Sequence, residues 1–149
     1  MYSHILIATD GSELSAKGVD QGARLAKQLG AAVTIVTVTE PWVSIGTDAT
    51  FGWGGYSNPL DEYDKAAEAS ATSILTQAKE AAAALGVDVQ TLHIPNQYPA
   101  DAIVTTAGER GADLIVMASH GRRGLGRLLL GSQATQVLTQ STLPVLIVK

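Results

Sequence analysis

Short, unbroken apolar runs separated by helical stretches narrow the folding options of this chain more than any other feature. Ile5-Leu6-Ile7-Ala8 and Leu114-Ile115-Val116-Met117 lack the apolar–polar alternation of a strand with one face in water, so both faces of these strands must be covered. Parallel strands joined by helical crossovers meet that requirement. Five β-rich runs stand out, His4 to Thr9, Val33 to Val38, Val87 to His93, Leu114 to Met117 and Val145 to Val148, with four helical stretches between them. Leu29-Gly30 and Leu85-Gly86 put glycine where two helices would end in a left-handed residue, and Pro99 suits the first turn of a third helix. Leu75, Ala78, Ala82 and Leu85 recur at helical spacing and predict one buried stripe, with Lys79 and Glu80 outside it. The expected fold is α/β: a doubly wound, five-stranded parallel sheet with helices on both faces, right-handed crossovers and strand order 3-2-1-4-5.

A length of 149 residues suits one domain over 1–149, and 46% hydrophobic against 16% charged residues separates the chain from disordered compositions. The net charge of -4 argues against a broad nucleic-acid or anionic-membrane surface. The absence of cysteine removes disulfides, thiolate metal sites and cysteine nucleophiles. The apolar runs are too short for a signal-peptide core or a membrane span. A cytosolic protein, neither exported nor inserted, is the expectation. One connection is unusually long: residues 39–60 are glycine-rich, carry Trp42, Phe51, Trp53 and Tyr56, and have no periodicity. Such a segment is either a surface excursion or a functional loop.

Ligands of open parallel sheets bind beyond the carboxyl ends of the strands, where neighbouring connections diverge to opposite faces. The first strand ends in Ala8-Thr9-Asp10-Gly11-Ser12 and the fourth in Met117-Ala118-Ser119-His120-Gly121. Arg122, Arg123 and Arg127 follow, three of the five arginines within six residues, before Gly131-Ser132 opens the last helix. Glycine lets backbone approach a ligand, and a helix start offers unpaired N–H groups and about half a positive charge. Ser132 fits as an N-cap or as a phosphate donor. Any one of these features is ordinary in a turn, whereas their concentration at one strand end predicts an anion site for a polyphosphate. No Gly-Lys-Ser/Thr occurs, and Leu129 breaks a GxGxxG begun at Gly124 and Gly126. His4, His93 and His120 are scattered, without metal-ligand spacing. His120 fits best as a loop-stabilising hydrogen-bond partner. There is no GxSxG elbow, and Ser12, Ser119 and Ser132 lack a base visible in the sequence.

Ser119-His120-Gly121, nine residues, then Gly131-Ser132 resembles the ATP-binding signature of the universal stress protein family. Asp10-Gly11-Ser12, Pro99 to Ile103, Gly111 to Met117 and Pro144 to Val148 extend the likeness along the whole chain. The resemblance implies a Rossmann-like fold of the adenine-nucleotide α-hydrolase kind that binds ATP, AMP or ADP. It places Ala8, Thr9, Asp10, Val38 and Met117 around base and ribose, with Asp10 as polar anchor. Ala118, standing where the family pattern has glycine, would lie against the sugar. Gly121, Gly131, Ser132 and Gln133 would hydrogen-bond the phosphates, and Mg²⁺ would be held through those phosphates. The plain alternative for Val38 and Met117 is core packing. Family members pair through the last strand, which implies a homodimer.

Three functions follow from the resemblance: a nucleotide-dependent regulatory module of the stress response, a slow ATPase or autophosphorylating enzyme, and a dimeric interaction module with a weakened nucleotide site. No catalytic residue is assigned. A phosphorylation-receiver domain shares the strand–helix alternation, but the third strand runs out at His93-Ile94-Pro95 with no aspartate.

Overall fold

In the computed structural model, which describes residues 1–43, 59–121 and 129–149, the apolar runs form five strands in the order β3-β2-β1-β4-β5, all pairs parallel. The elements are β1 (His4–Ala8), α1 (Glu13–Leu29), β2 (Ala32–Val38), α2 (Pro59–Ala84), β3 (Gln90–Ile94), α3 (Pro99–Glu109), β4 (Leu114–Ala118), α4 (Ser132–Gln140) and β5 (Val145–Val148). The expected order of elements and the expected strand order are both found.

Side chains of the central strands alternate between two buried clusters. Ile5, Ile7, Leu114 and Val116 join Val19 and Ala23 of α1 and Leu75, Ala78 and Ala82 of α2 on one face. Leu6, Ala8, Ile115 and Met117 join Ile103 of α3 and Val137 of α4 on the other. The α2 stripe is therefore buried as its spacing requires, with Leu85 packed at its edge and Lys79 and Glu80 exposed. Gly22 brings α1 down onto the sheet, since a β-carbon there would stand 2.6 Å from Ile7 Cδ1.

The helix ends follow their punctuation. Gly30 and Gly86 take positive φ values of 66° and 79°, and Pro99 occupies the first turn of α3. The third strand departs from expectation: it begins at Gln90, not Val87. Val87 N–H bonds Ala82 O at 3.0 Å and so belongs to the end of α2, while the ladder to β2 starts at Thr34 opposite Gln90. Val87 and Val89 are buried all the same, which is why their composition reads as strand.

At the amino end of the sheet, Asp113 holds β4 to the chain start. Its carboxylate accepts Ser3 N–H at 2.8 Å, Ser3 Oγ–H at 2.7 Å and His4 N–H at 3.0 Å. These donors, the Ser3 amide foremost, lower its pKa to about 2.

Candidate functional site

The crevice follows from the two-faced covering of the sheet. β1 leads into α1 on one face and β4 leads into α4 on the other, so the connections after these neighbouring strands part at their carboxyl ends. Asp10 and Gly121 meet there, the carboxylate packed against the backbone of the glycine. Asp10 Oδ2 lies so close to Gly121 that a β-carbon on this residue would collide with it. Asp10 Oδ1 accepts Ser12 N–H at 2.9 Å, which fixes the carboxylate at the mouth of the β1–α1 turn. Gly11 turns the chain there with φ of 81°, a conformation costly for residues with a side chain.

The turn is built from hydroxyls. Thr9 N–H continues the sheet by bonding Val36 O at 2.9 Å, while its Oγ1 lies 2.9 Å from Ser15 Oγ. Ser12 caps α1, its Oγ accepting Ser15 N–H at 3.2 Å.

On the β4 side the chain returns to α4 through a narrow neck. Gly131 N–H donates to Ser119 O at 2.7 Å, and a β-carbon on Gly131 would stand 3.0 Å from His120 Cα and Cβ. Gly131 has an ordinary φ of -62°, so here glycine answers to tight space and not to backbone angle. His120 Nδ1 lies 3.1 Å from Ser119 Oγ, in keeping with the loop-stabilising role expected of it.

Two expectations at this helix start need correction. The N-cap is Gly131, with Ser132 already the first helical residue, so Ser132 does not cap α4. The Gly131 amide is turned to Ser119 and bonded there, so it is not available to a phosphate. Because glycine brings no side-chain cap, the first-turn N–H groups of α4, beginning with Ser132, are the ones this helix end presents. Gln133 also has a task that its neighbourhood in sequence did not suggest: its Oε1 accepts Ala100 N–H at 3.1 Å. It thereby serves the start of α3, where Tyr98 gives no side-chain cap.

Of the remaining residues, Ala8, Met117 and Ala118 end the two central strands and are buried, and Val38 ends β2 half-buried against the same cluster as Met117. Core packing is the observed surrounding of Met117 and Val38. Ala118 stands opposite Val148 in the β4–β5 ladder, on the α1 face of the sheet. A β-carbon on Gly18 of α1 would come within 3.7 Å of the Ala118 amide nitrogen. The three clustered arginines, Gly124, Gly126, Phe51, Trp53 and Tyr56 lie outside the described residues. Ser15 was missed in the sequence: a serine inside the first turn of a helix carries no local sign that its hydroxyl is buried against a strand end.

The residues gathered here offer an acceptor, the Asp10 carboxylate, and backbone N–H donors in the first turn of α4. A bare glycine meets a fixed carboxylate, and the uncapped start of α4 lies beside Ser119 and His120 on the β4 side. Among the described residues no group of three or more His, Cys, Asp or Glu is placed to hold a metal ion, and none of the helices is long and apolar enough to cross a membrane.

Comparison with known proteins agrees with this architecture. The model of the universal stress protein family matches residues 1–149. The universal stress protein YxiE of Bacillus subtilis is 37% identical over 149 residues, covering all of both chains. Among solved structures, the protein MJ0577 superposes with a TM-score of 0.81 at 26% identity, covering 100% of this chain and 96% of the other. A universal stress protein solved in complex with cAMP superposes with a TM-score of 0.71 at 28% identity, over 99% of this chain and 96% of that one. Fold, motif and family model agree along the whole length, and the chain belongs to the universal stress protein family.

Proposed function

We propose that this protein binds an adenine nucleotide between the carboxyl ends of β1 and β4 and acts in the cytosol as a nucleotide-dependent regulatory module of the stress response. ATP is the proposed form, with Mg²⁺ carried on its phosphates. The observation that carries the reading is the approach of the Asp10 carboxylate to the bare backbone of Gly121 across the gap between diverging connections. A carboxylate suits ribose hydroxyls or the base as acceptor, and the uncapped start of α4 suits the phosphates. Ala8, Thr9, Val38, Met117 and Ala118 then line the base and sugar end, and Gly121, Ser132 and the Gln133 backbone the phosphate end, with Gly131 shaping the neck beside it. The relative solved with cAMP supports a ligand of this class. The test is calorimetric titration of nucleotide-stripped protein with millimolar Mg-ATP, alongside tryptophan fluorescence. Heat of binding is expected, and a flat response in both would end the proposal.

A homodimer through β5 is the second proposal. β5 closes one side of the sheet, and Leu146 on it is 37% exposed, with Leu138 of α4 at 42%. An apolar edge strand left open invites pairing with another chain. Light scattering at tens of micromolar should give twice the chain mass, and Leu146→Lys should return it to a monomer. A monomeric wild-type protein would overturn this.

A further inference from the structure

Resting on the nucleotide reading above, we propose that Ser15 and the hydroxyl of Thr9 are positioning residues that hold Asp10 in its binding orientation without touching the ligand. Counting protons assigns the bonds that link Gly11, Thr9, Ser15 and Ser12. Ser15 Oγ donates to Ser12 O at 2.9 Å, and a hydroxyl has one proton. The 2.9 Å bond between Thr9 and Ser15 must then run from Thr9 Oγ1–H to Ser15 Oγ. Thr9 Oγ1 accepts in turn from Gly11 N–H at 3.3 Å. A single relay results, from Gly11 N–H through Thr9 and Ser15 to the Ser12 carbonyl, and Asp10 lies in the chain between its first two members, Gly11 and Thr9.

Burial makes the relay consequential. Thr9 is 7% and Ser15 3% exposed, so water is poorly placed to replace a missing partner. Ser12, the residue at which the relay ends, also supplies the N–H that fixes Asp10 Oδ1. Removing either hydroxyl breaks the buried Thr9–Ser15 bond, so that Thr9 keeps only the Gly11 N–H or Ser15 only the Ser12 carbonyl, and loosens the turn between Thr9 and Ser12. The turn then samples arrangements in which Asp10 no longer faces Gly121, and the apparent dissociation constant rises by the inverse of the binding-competent fraction. The proton of Thr9 is committed to Ser15, which separates its hydroxyl from direct donation to a nucleotide.

The experiment is calorimetric titration with Mg-ATP of wild type, Ser15→Ala, Thr9→Val, Thr9→Ser and the Ser15→Ala/Thr9→Val double variant, with melting temperatures checked in parallel. Hydrogen exchange at the Gly11 and Ser12 amides is followed in the nucleotide-free proteins. Ser15→Ala and Thr9→Val should each bind about tenfold more weakly, and the double variant no more weakly than either, because the relay is broken once. Thr9→Ser, which restores the hydroxyl, should recover binding to within about threefold of wild type. Exchange at Gly11 and Ser12 should quicken in the two weakened singles while Ile7 and Val116 keep their protection. Wild-type binding with unaltered singles, with additive losses in the double, or with Thr9→Ser as weak as Thr9→Val would overturn the positioning role alone. A wild-type protein that binds no Mg-ATP would overturn the nucleotide reading and this proposal with it.

Discussion

Two aspartates stand at opposite ends of the β1–β4 pair and do opposite work. Asp113, just before β4, receives three donors from Ser3 and His4, and its own N–H bonds His4 O at 2.9 Å. Its carboxylate is a strand-to-strand fastening. Asp10, just after β1, takes the Ser12 N–H on one oxygen and sets the other against Gly121. It stands between two turns that leave on opposite faces, beside a residue with no side chain. The same chemical group therefore closes one end of the sheet and furnishes the other, and the difference lies in what faces it. Donors from a neighbouring chain segment make a clasp, and a glycine across a crevice makes a binding wall.

The harshest way to break that contrast is to fill the neck of the β4 loop. The atoms nearest a β-carbon on Gly131 are the Cα and Cβ of His120 and the Ser119 carbonyl, none of which can swing away as a side-chain tip would. Gly131→Val should cost about 1–3 kcal/mol through overpacking and lower Mg-ATP affinity on the order of 100-fold. Calorimetry and thermal melting read both effects. Affinity retained in a well-folded variant would mean that the neck does not shape the phosphate end.

A milder pair of changes tests the two aspartates against each other. Asp10→Asn keeps the shape and removes the charge at the crevice, so Mg-ATP binding should weaken about tenfold while the melting temperature moves little. Asp113→Asn should do the reverse. Its amide group would confront backbone donors that need an acceptor, lowering the melting temperature by about 3 °C with affinity kept within about twofold. Equal effects of the two substitutions on binding would erase the distinction between clasp and wall.

How much of this was legible in the sequence depended on the range of the interaction. Gly30, Gly86 and Pro99 act on their own turns and were read correctly, as was the alternation that sorts Ile7 from Leu6. The motif ending in Gly131-Ser132 marked the right helix start, but the division of labour between the two residues was not readable. It depends on Gly131 meeting the Ser119 carbonyl, twelve residues back. Gln133 reaches Ala100 and Asp113 reaches Ser3 over still greater separations, and no local pattern encodes such partners. Val87 failed for a different reason: burial gave it a strand-like neighbourhood, while its N–H was already committed to the end of α2.

The smallest expected effect isolates the clasp by pH. In the folded protein Asp113 titrates at about 2, against about 3.9 for an unfolded chain. Between those values the unfolded state holds more protons than the folded one, so stability rises with pH across the interval. The contribution of the clasp is accordingly present above pH ~4 and fades as the pH falls towards 2. Partial solvent exposure of the carboxylate screens it and keeps the effect small. Melting temperatures of wild type and Asp113→Asn, measured without nucleotide, should differ at neutral pH and converge as the pH is lowered through this window. A gap that stays constant down to about pH 2 would mean that the loss in Asp113→Asn comes from altered packing at the strand start, and that the charge on the carboxylate is not what holds the amino end of the sheet closed.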